Sequence, residues 1–215
     1  MRNRRLSDIA RATGGLVSGE DSDVSWVTTD SRVSGPGALF VAIRGDHADG
    51  HAFAGEALAR GAAGVMVDED AAGIAGPTVA VRDTGRALLA LAADERRAMS
   101  ARVIGVTGAN GKTSTKDLAT AVLETRFRTH ASPSSFNNEV GVPITLLGAP
   151  PGTEALVCEM GARHVGDVAA LFDVVRPDTV VVTNVGVAHM ELFGSWDRIV
   201  EASAEPVEAM GPTVP

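Results

Sequence analysis

Gly105-Val106-Thr107-Gly108-Ala109-Asn110-Gly111-Lys112-Thr113 decides the fold. The apolar run Val103-Ile104-Gly105-Val106 leads into it as a buried strand, and Lys112 to Thr125 follows as a helix. Glycines between a strand and a helix let backbone N–H groups turn toward an anion. A helix start adds unpaired N–H donors and partial positive charge. Gly108, Ala109, Asn110, Gly111, Lys112, Thr113 and Ser114 are therefore the candidate nucleotide-binding residues. Lys112 has the reach for β- and γ-phosphates, and the Thr113 hydroxyl is a Mg2+ ligand in such loops. The strict pattern places a glycine five residues before Gly111, where this chain has Val106, flanked by Gly105 and Gly108. A tight turn followed by a chance Gly-Lys-Thr is the competing reading.

Downstream, Ala155 to Met160 is a second apolar strand and Val165 to Val174 a helix that Pro177 stops. Thr179 to Thr183 is the most β-branched strand, and Trp196 to Met210 reads as a helix with Ser195 as its cap. Strands apolar on both faces and separated by helices predict a parallel sheet covered on both sides. Ligands of such sheets bind beyond the carboxyl ends of the strands. The glycine loop, Glu159, and Asn184 to His189 all fall there. Glu159 is a candidate Mg2+ ligand, since Mg2+ prefers oxygen donors; a solvated strand-end glutamate is the alternative. His189 is a candidate for a second metal or for orienting a phosphate, against an exposed loop histidine. Phe136 to Pro143 holds Asn137, Asn138 and Glu139, candidates for substrate hydrogen bonds or, for the asparagines, for helix capping.

The first half alternates strands (Leu39 to Ile43, Gly64 to Val67, Thr78 to Val81) with helices (Ala54 to Arg60, Asp83 to Ser100), Asp83 or Thr84 capping the latter. A boundary near Met99 to Arg102 gives two domains, 1–100 and 101–215. Two polar loops beside strands stand out, Thr29 to Arg32 and Asp46 to Phe53; Ser31, Arg32, Asp49 and His51 are the candidate binding residues, with Arg32 suited to a diphosphate. Ordinary loop chemistry explains them equally well.

The 215 residues are 45% hydrophobic and 21% charged, the balance of a globular chain. A net charge of −8 argues against a sequence-independent binder of nucleic-acid phosphates, which is normally basic. A single cysteine, Cys158, excludes an internal disulfide and fits a reducing compartment. No apolar run reaches the roughly 18–20 residues of a membrane span, and the basic N-terminus is followed by no signal-like apolar stretch. A cytoplasmic location is expected. There are only two lysines, Lys112 and Lys116. The final Gly211 to Pro215 reads as a turn leading onward, as in a sequence that stops in mid-protein.

Taken in order, Thr107 to Thr113, Asn137 to Pro143, Glu159-Met160-Gly161-Ala162 and Thr183 through His189 to Ser195 resemble the Mur ligases. Asn137-Asn138-Glu139 and Glu159-Met160-Gly161 resemble most the branch that adds a dipeptide. Thr29 to Arg32 and Asp49 to Phe53 resemble the UDP-binding domain of the same family. The resemblance implies an α/β protein: a small UDP-binding N-terminal domain, then a P-loop-type, mostly parallel sheet flanked by helices, this central domain being incomplete. It implies an ATP- and Mg2+-dependent ligase joining D-alanyl-D-alanine to UDP-N-acetylmuramoyl-tripeptide through an acyl phosphate in peptidoglycan synthesis. Under it Lys112 stabilises the transferring phosphoryl group, Thr113 and Glu159 hold one Mg2+, His189 a second, and Asn184 belongs to the nucleotide site. It also implies a third domain beyond these residues, so the 215-residue chain alone is expected not to ligate, and to be a monomer. Many members carry a carbamylated lysine at about Ser203; with no lysine after Lys116, Glu201 or Glu205 is the candidate replacement. The competing functions are another amino-acid ligase of this fold and a non-catalytic nucleotide-binding module. The UDP-type first domain argues against a folylpolyglutamate synthase.

Overall fold

A computed structural model describes residues 1–45, 48–71 and 73–211. Asp46 and His47 of the second polar loop, and the 212–215 part of the tail, lie outside the described residues. The first half runs β1 (Arg4–Arg5), α1 (Leu6–Thr13), β2 (Leu16–Ser18), β3 (Asp23–Val24), β4 (Trp26–Thr28), β5 (Ala38–Val41), α2 (Ala54–Ala59), β6 (Gly64–Asp68), β7 (Thr78–Val81) and α3 (Thr84–Ala98). The second runs β8 (Arg102–Thr107), α4 (Lys112–Glu124), β9 (Thr129–Ala131), α5 (Gly141–Gly148), β10 (Ala155–Glu159), α6 (Asp167–Val175), β11 (Thr179–Val182), α7 (Met190–Phe193) and α8 (Trp196–Met210). Contacts divide the chain into two compact units, Met1–Glu95 and Arg96–Pro215.

In the first unit, strand order is β2-β7-β6-β5-β4, with β4 to β7 parallel and β2 antiparallel on β7. Every residue of β5 and β6 is buried, as in a strand covered on both faces. Phe40, Val65 and Val67 pack with Ala54 and Ala57 of α2, whose small side chains let the helix lie close. The strand expected to reach Ile43 ends at Val41, because the Ile43 carbonyl turns away to accept the Gly50 N–H at 2.9 Å. Asp83 rather than Thr84 caps α3, its carboxylate accepting the Arg86 N–H at 2.7 Å. Arg4 of β1 and Glu95 of α3 form an almost fully buried ion pair at 3.0 Å.

In the second unit the order is β11-β8-β10-β9, all parallel. β10 is buried along its length, Leu156 within it being fully enclosed, as are Leu146 of α5 and Met160 just after the strand. Each such side chain contributes about 1.5–3 kcal/mol. α6 starts at Asp167, not Val165, because Gly166 stands at its cap with φ +98 and Glu205 accepts the Gly166 and Ala169 N–H groups. It ends as expected before Pro177, with Arg176 in the left-handed region. Ser195 accepts the Arg198 N–H and caps α8 over the expected span. Among the described residues, no helix is long and apolar enough to cross a membrane.

Candidate active site

The glycine loop leaves β8 and enters α4 through two residues with positive φ, Gly108 at +124 and Gly111 at +79. A Cβ at Gly108 would run into the Thr183 hydroxyl and the Asn184 backbone, so this turn admits only glycine. The loop is braced by the β11 side. Asn184 accepts the Ala109 N–H through its carbonyl at 3.0 Å and the Asn110 N–H through Oδ1 at 3.1 Å. Its Nδ2 and the Thr183 hydroxyl both donate to the Asn110 carbonyl, at 2.9 and 2.7 Å. The N–H groups of Ala109 and Asn110, expected in an anion cradle, are thus already engaged. The donors left for an anion are those of the first turn of α4, which has no preceding carbonyls to serve it.

Lys112 folds over the loop, its Nζ donating to the Gly108 and Ala109 carbonyls at 2.7 and 3.1 Å. Burial pushes this ammonium below its ordinary pKa, and the Glu159 charge opposes that shift. Beside it, at the end of β10, Glu159 is 1% exposed. The Thr113 hydroxyl donates to its Oε2 at 2.9 Å, and Asn137 Nδ2 donates to Oε1 at 2.8 Å. A buried carboxylate touching a hydroxyl at a helix start is a hard-oxygen donor set, and it fits one Mg2+ whose other ligands are phosphate oxygens and water.

The two asparagines divide their work. Asn137 reaches Glu159, while Asn138 Oδ1 accepts the Gly141 and Val140 N–H groups at 2.8 and 3.3 Å and so caps α5. Glu139 is exposed. Ser132, which no sequence signal singled out, is buried and takes the Glu159 N–H on its hydroxyl at 3.1 Å.

An open cleft beside the loop is lined by Gly108, Ala109, Lys112, Gly186, His189 and Ser203, among others. His189 sits in the left-handed region at φ +54, strained for a residue with a Cβ, with the Glu191 carboxylate 3.9 Å from its Nδ1. Among the described residues, no group of three or more His, Cys, Asp or Glu gathers at metal-binding distance. Ser203 lines the cleft, but neither candidate replacement carboxylate joins it: Glu205 is occupied at the start of α6, and Glu201 is exposed.

In the first unit, Ser31 and Arg32 follow β4, and Asp49 and His51 lie in the segment after β5, both beyond the carboxyl ends of parallel neighbours. Arg32 is clamped by Asp30 through two bonds of 2.8 and 2.7 Å, and these hold Asp30 down to about 2. The Ser31 hydroxyl lies 3.4 Å from Glu56. His51 Nε2 accepts the Asp68 N–H at 2.9 Å, so Nδ1 carries the proton and donates to Asp49 at 2.6 Å. Both ring nitrogens are engaged, and His51 shapes its loop rather than presenting a free imidazole. Asp68 also takes the Thr84 N–H at 2.8 Å and faces Arg44 at 3.3 Å. These two residues end a strand and open a loop, and nothing in their sequence neighbourhood marks them.

The strand, glycine loop and helix with Gly-Lys-Thr at its start define an α/β protein of the P-loop type. Family models agree. The Mur ligase family, catalytic domain, matches residues 23–101, and the Mur ligase middle domain matches residues 106–213. The chain belongs to the Mur ligase family. It is 37% identical over 218 residues to the UDP-N-acetylmuramoyl-tripeptide–D-alanyl-D-alanine ligase of Bacillus subtilis, covering 98% of this chain and 47% of that protein. The Escherichia coli enzyme of the same name is 38% identical over 200 residues, 93% of this chain and 44% of that one. A crystal structure of MurF from Acinetobacter baumannii superposes with a TM-score of 0.91 at 29% identity, over 99% of this chain and 48% of that one. MurF ligase from Thermotoga maritima in complex with ADP gives 0.78 at 34% identity, over 86% and 43%. The chain spans about half the length of the curated relatives it matches.

Proposed function

We propose that this chain supplies the UDP-substrate-binding unit and part of the ATP-binding unit of a UDP-N-acetylmuramoyl-tripeptide–D-alanyl-D-alanine ligase. The observation that carries the reading is Glu159, buried at a strand end between the Thr113 hydroxyl and Asn137, next to Lys112 and the glycine loop. Identity of 37–38% to ligases of that name, across nearly the whole chain, supports the substrate assignment.

The chemistry follows from charge. A carboxylate is a poor electrophile, and its conversion to an acyl phosphate provides a leaving group. The tripeptide carboxylate oxygen attacks the γ-phosphorus of ATP and ADP departs. The amine of D-alanyl-D-alanine then attacks the acyl carbon, and phosphate leaves with its electron pair as the nitrogen loses a proton. Both steps need charge neutralisation and positioning more than a protein nucleophile. Lys112 leaves its two loop carbonyls for the phosphate oxygens, and the α4 N–H groups hold the β-phosphate. Thr113 and Glu159 would hold Mg2+, which supplies neutralising charge at the transferring phosphoryl group. Asn137 keeps the Glu159 carboxylate turned toward Thr113. Asn184 keeps the loop in its turn, and His189 faces the same cleft. No step is assigned to a second metal, because its ligands are not assembled around His189. Ser31, Arg32, Asp49 and His51 frame the UDP-bearing substrate, His51 acting through Asp49.

Calorimetric titration of the 215-residue chain tests this. UDP-N-acetylmuramoyl-tripeptide is expected to bind more tightly than UDP-N-acetylmuramate, and ADP binding is expected to need Mg2+ and Lys112. A folded chain that binds neither ligand refutes the proposal.

A further inference from the structure

We infer that Lys116 is a positioning residue for Glu159; the inference rests on the function proposed above. α4 carries Lys112 and Thr113 in its first turn, and its one buried residue is a lysine one turn further on, Lys116, 4% exposed. Leu118 and Val122, the side chains an ordinary amphipathic helix would bury, are each 70% exposed. An ammonium is taken out of water at a cost unless its protons find acceptors. Lys116 Nζ donates to the Ser132 carbonyl at 2.9 Å and pairs with the exposed Asp117 at 2.7 Å.

Ser132 spends its remaining groups on β10. Its N–H donates to the Val157 carbonyl at 3.0 Å, and its hydroxyl accepts the Glu159 N–H at 3.1 Å. Ser132 also opens the segment that delivers Asn137, whose carbonyl accepts the Gly161 N–H at 2.7 Å while Nδ2 holds Glu159 Oε1. Lys116 therefore fixes the residue that fixes the Glu159 backbone, and sets the start of the loop that orients the Glu159 side chain. Thr113, on the same helix, touches that carboxylate from the other side. One ammonium ties both oxygens of the candidate Mg2+ site to a common frame.

The test uses Lys116→Met, which keeps the aliphatic stem and removes the donor, with two readouts. Without ligand, hydrogen exchange at Glu159 and across 133–138 is expected to quicken while β8 and β11 keep their protection. With ADP, the Mg2+ concentration for half-maximal binding is expected to rise about 10- to 100-fold, the usual effect of losing a group behind a metal ligand, with metal-free ADP affinity within about twofold of wild type. Lys116→Gln, which retains a shorter donor, should fall between. Unchanged exchange, or quickened exchange with an unchanged Mg2+ requirement, overturns the inference. Loss of the fold in both variants overturns it too, since Lys116 is then a folding residue. A wild-type chain with no Mg2+-dependent ADP binding overturns the proposed function itself, whatever the exchange result.

Discussion

Replacing Glu159 with glutamine and with alanine separates what this side chain does for the fold from what it does for a metal. Glutamine keeps both hydrogen bonds: its carbonyl accepts Asn137 Nδ2, and its amide donates to a rotated Thr113 hydroxyl. Each bond weakens from a charged to a neutral one, by about 1 kcal/mol. Against that loss of about 2 kcal/mol stands the relief of desolvating a charge at a site 1% exposed, so the two effects nearly cancel. Alanine is different. It strands the Asn137 donor, at about 1–3 kcal/mol, and removes one buried methylene at about 0.8 kcal/mol. The expected order of stability is therefore wild type close to Glu159→Gln, with Glu159→Ala lower by about 2–4 kcal/mol, or a Tm drop of about 4–16 °C. Both variants should lose the Mg2+-dependent part of ADP binding, because neither offers an anionic oxygen. Thermal melts by circular dichroism and calorimetric ADP titrations with and without Mg2+ read the two effects. Glutamine as destabilising as alanine would refute the hydrogen-bond accounting. Mg2+-dependent binding surviving in Glu159→Gln would refute the metal assignment.

Lys112 has its pKa lowered by burial from 10.5, with Glu159 opposing. The folded chain thus releases this proton at lower pH than the unfolded chain, so stability rises with pH in the window below 10.5 while ADP affinity, which needs the charged form, falls; Lys112→Arg, whose guanidinium stays charged there, should flatten the affinity profile over that same window. Asp30 should titrate at about 2 in an NMR experiment, and Arg32→Ala should move it part of the way back to 3.8, since the backbone bond from residue 32 remains. Arg4→Met takes the enclosed guanidinium from Glu95 and leaves the half-exposed Arg2 and the Met1 ammonium near it, and should cost about 3–5 kcal/mol by chemical denaturation, against a smaller loss for the double change with Glu95→Gln.

Elements with strong local grammar were readable from sequence. β8, the glycine loop and α4 announce themselves through a β-branched run, paired glycines and a helix-forming tail, and α8 through a serine cap. Short elements were not. β9 is Thr129-His130-Ala131, half-buried, with no alternation to betray it, and it exists because β10 offers it an edge. β1 is obscured for a related reason. Arg4 reads as a surface residue, yet its guanidinium is enclosed because Glu95, 91 positions away in sequence, accepts from it. Burial of a charge depends on a partner that the local sequence does not name.

The candidate site shows the same limit at finer grain. The motifs placed the candidate residues at or beyond the strand ends, where the structure also has them, but did not divide binding from bracing. Asn137 and Asn138 are chemically identical neighbours, yet one meets Glu159 while the other takes the N–H groups at the start of α5. Asn184 sits where a nucleotide contact was expected and instead consumes two loop N–H groups, narrowing the anion cradle to the start of α4. His51 reads as a candidate binding residue, and both its nitrogens are taken by protein groups. In each case the side chain serves another protein group. Under the proposed function, direct contacts with phosphate and metal fall to very few residues, Lys112, Thr113 and Glu159, and polar side chains around them such as Asn137 and Asn184 set their directions. A site built this way should lose metal affinity when a brace such as Asn137 is removed, even though the brace touches no ligand.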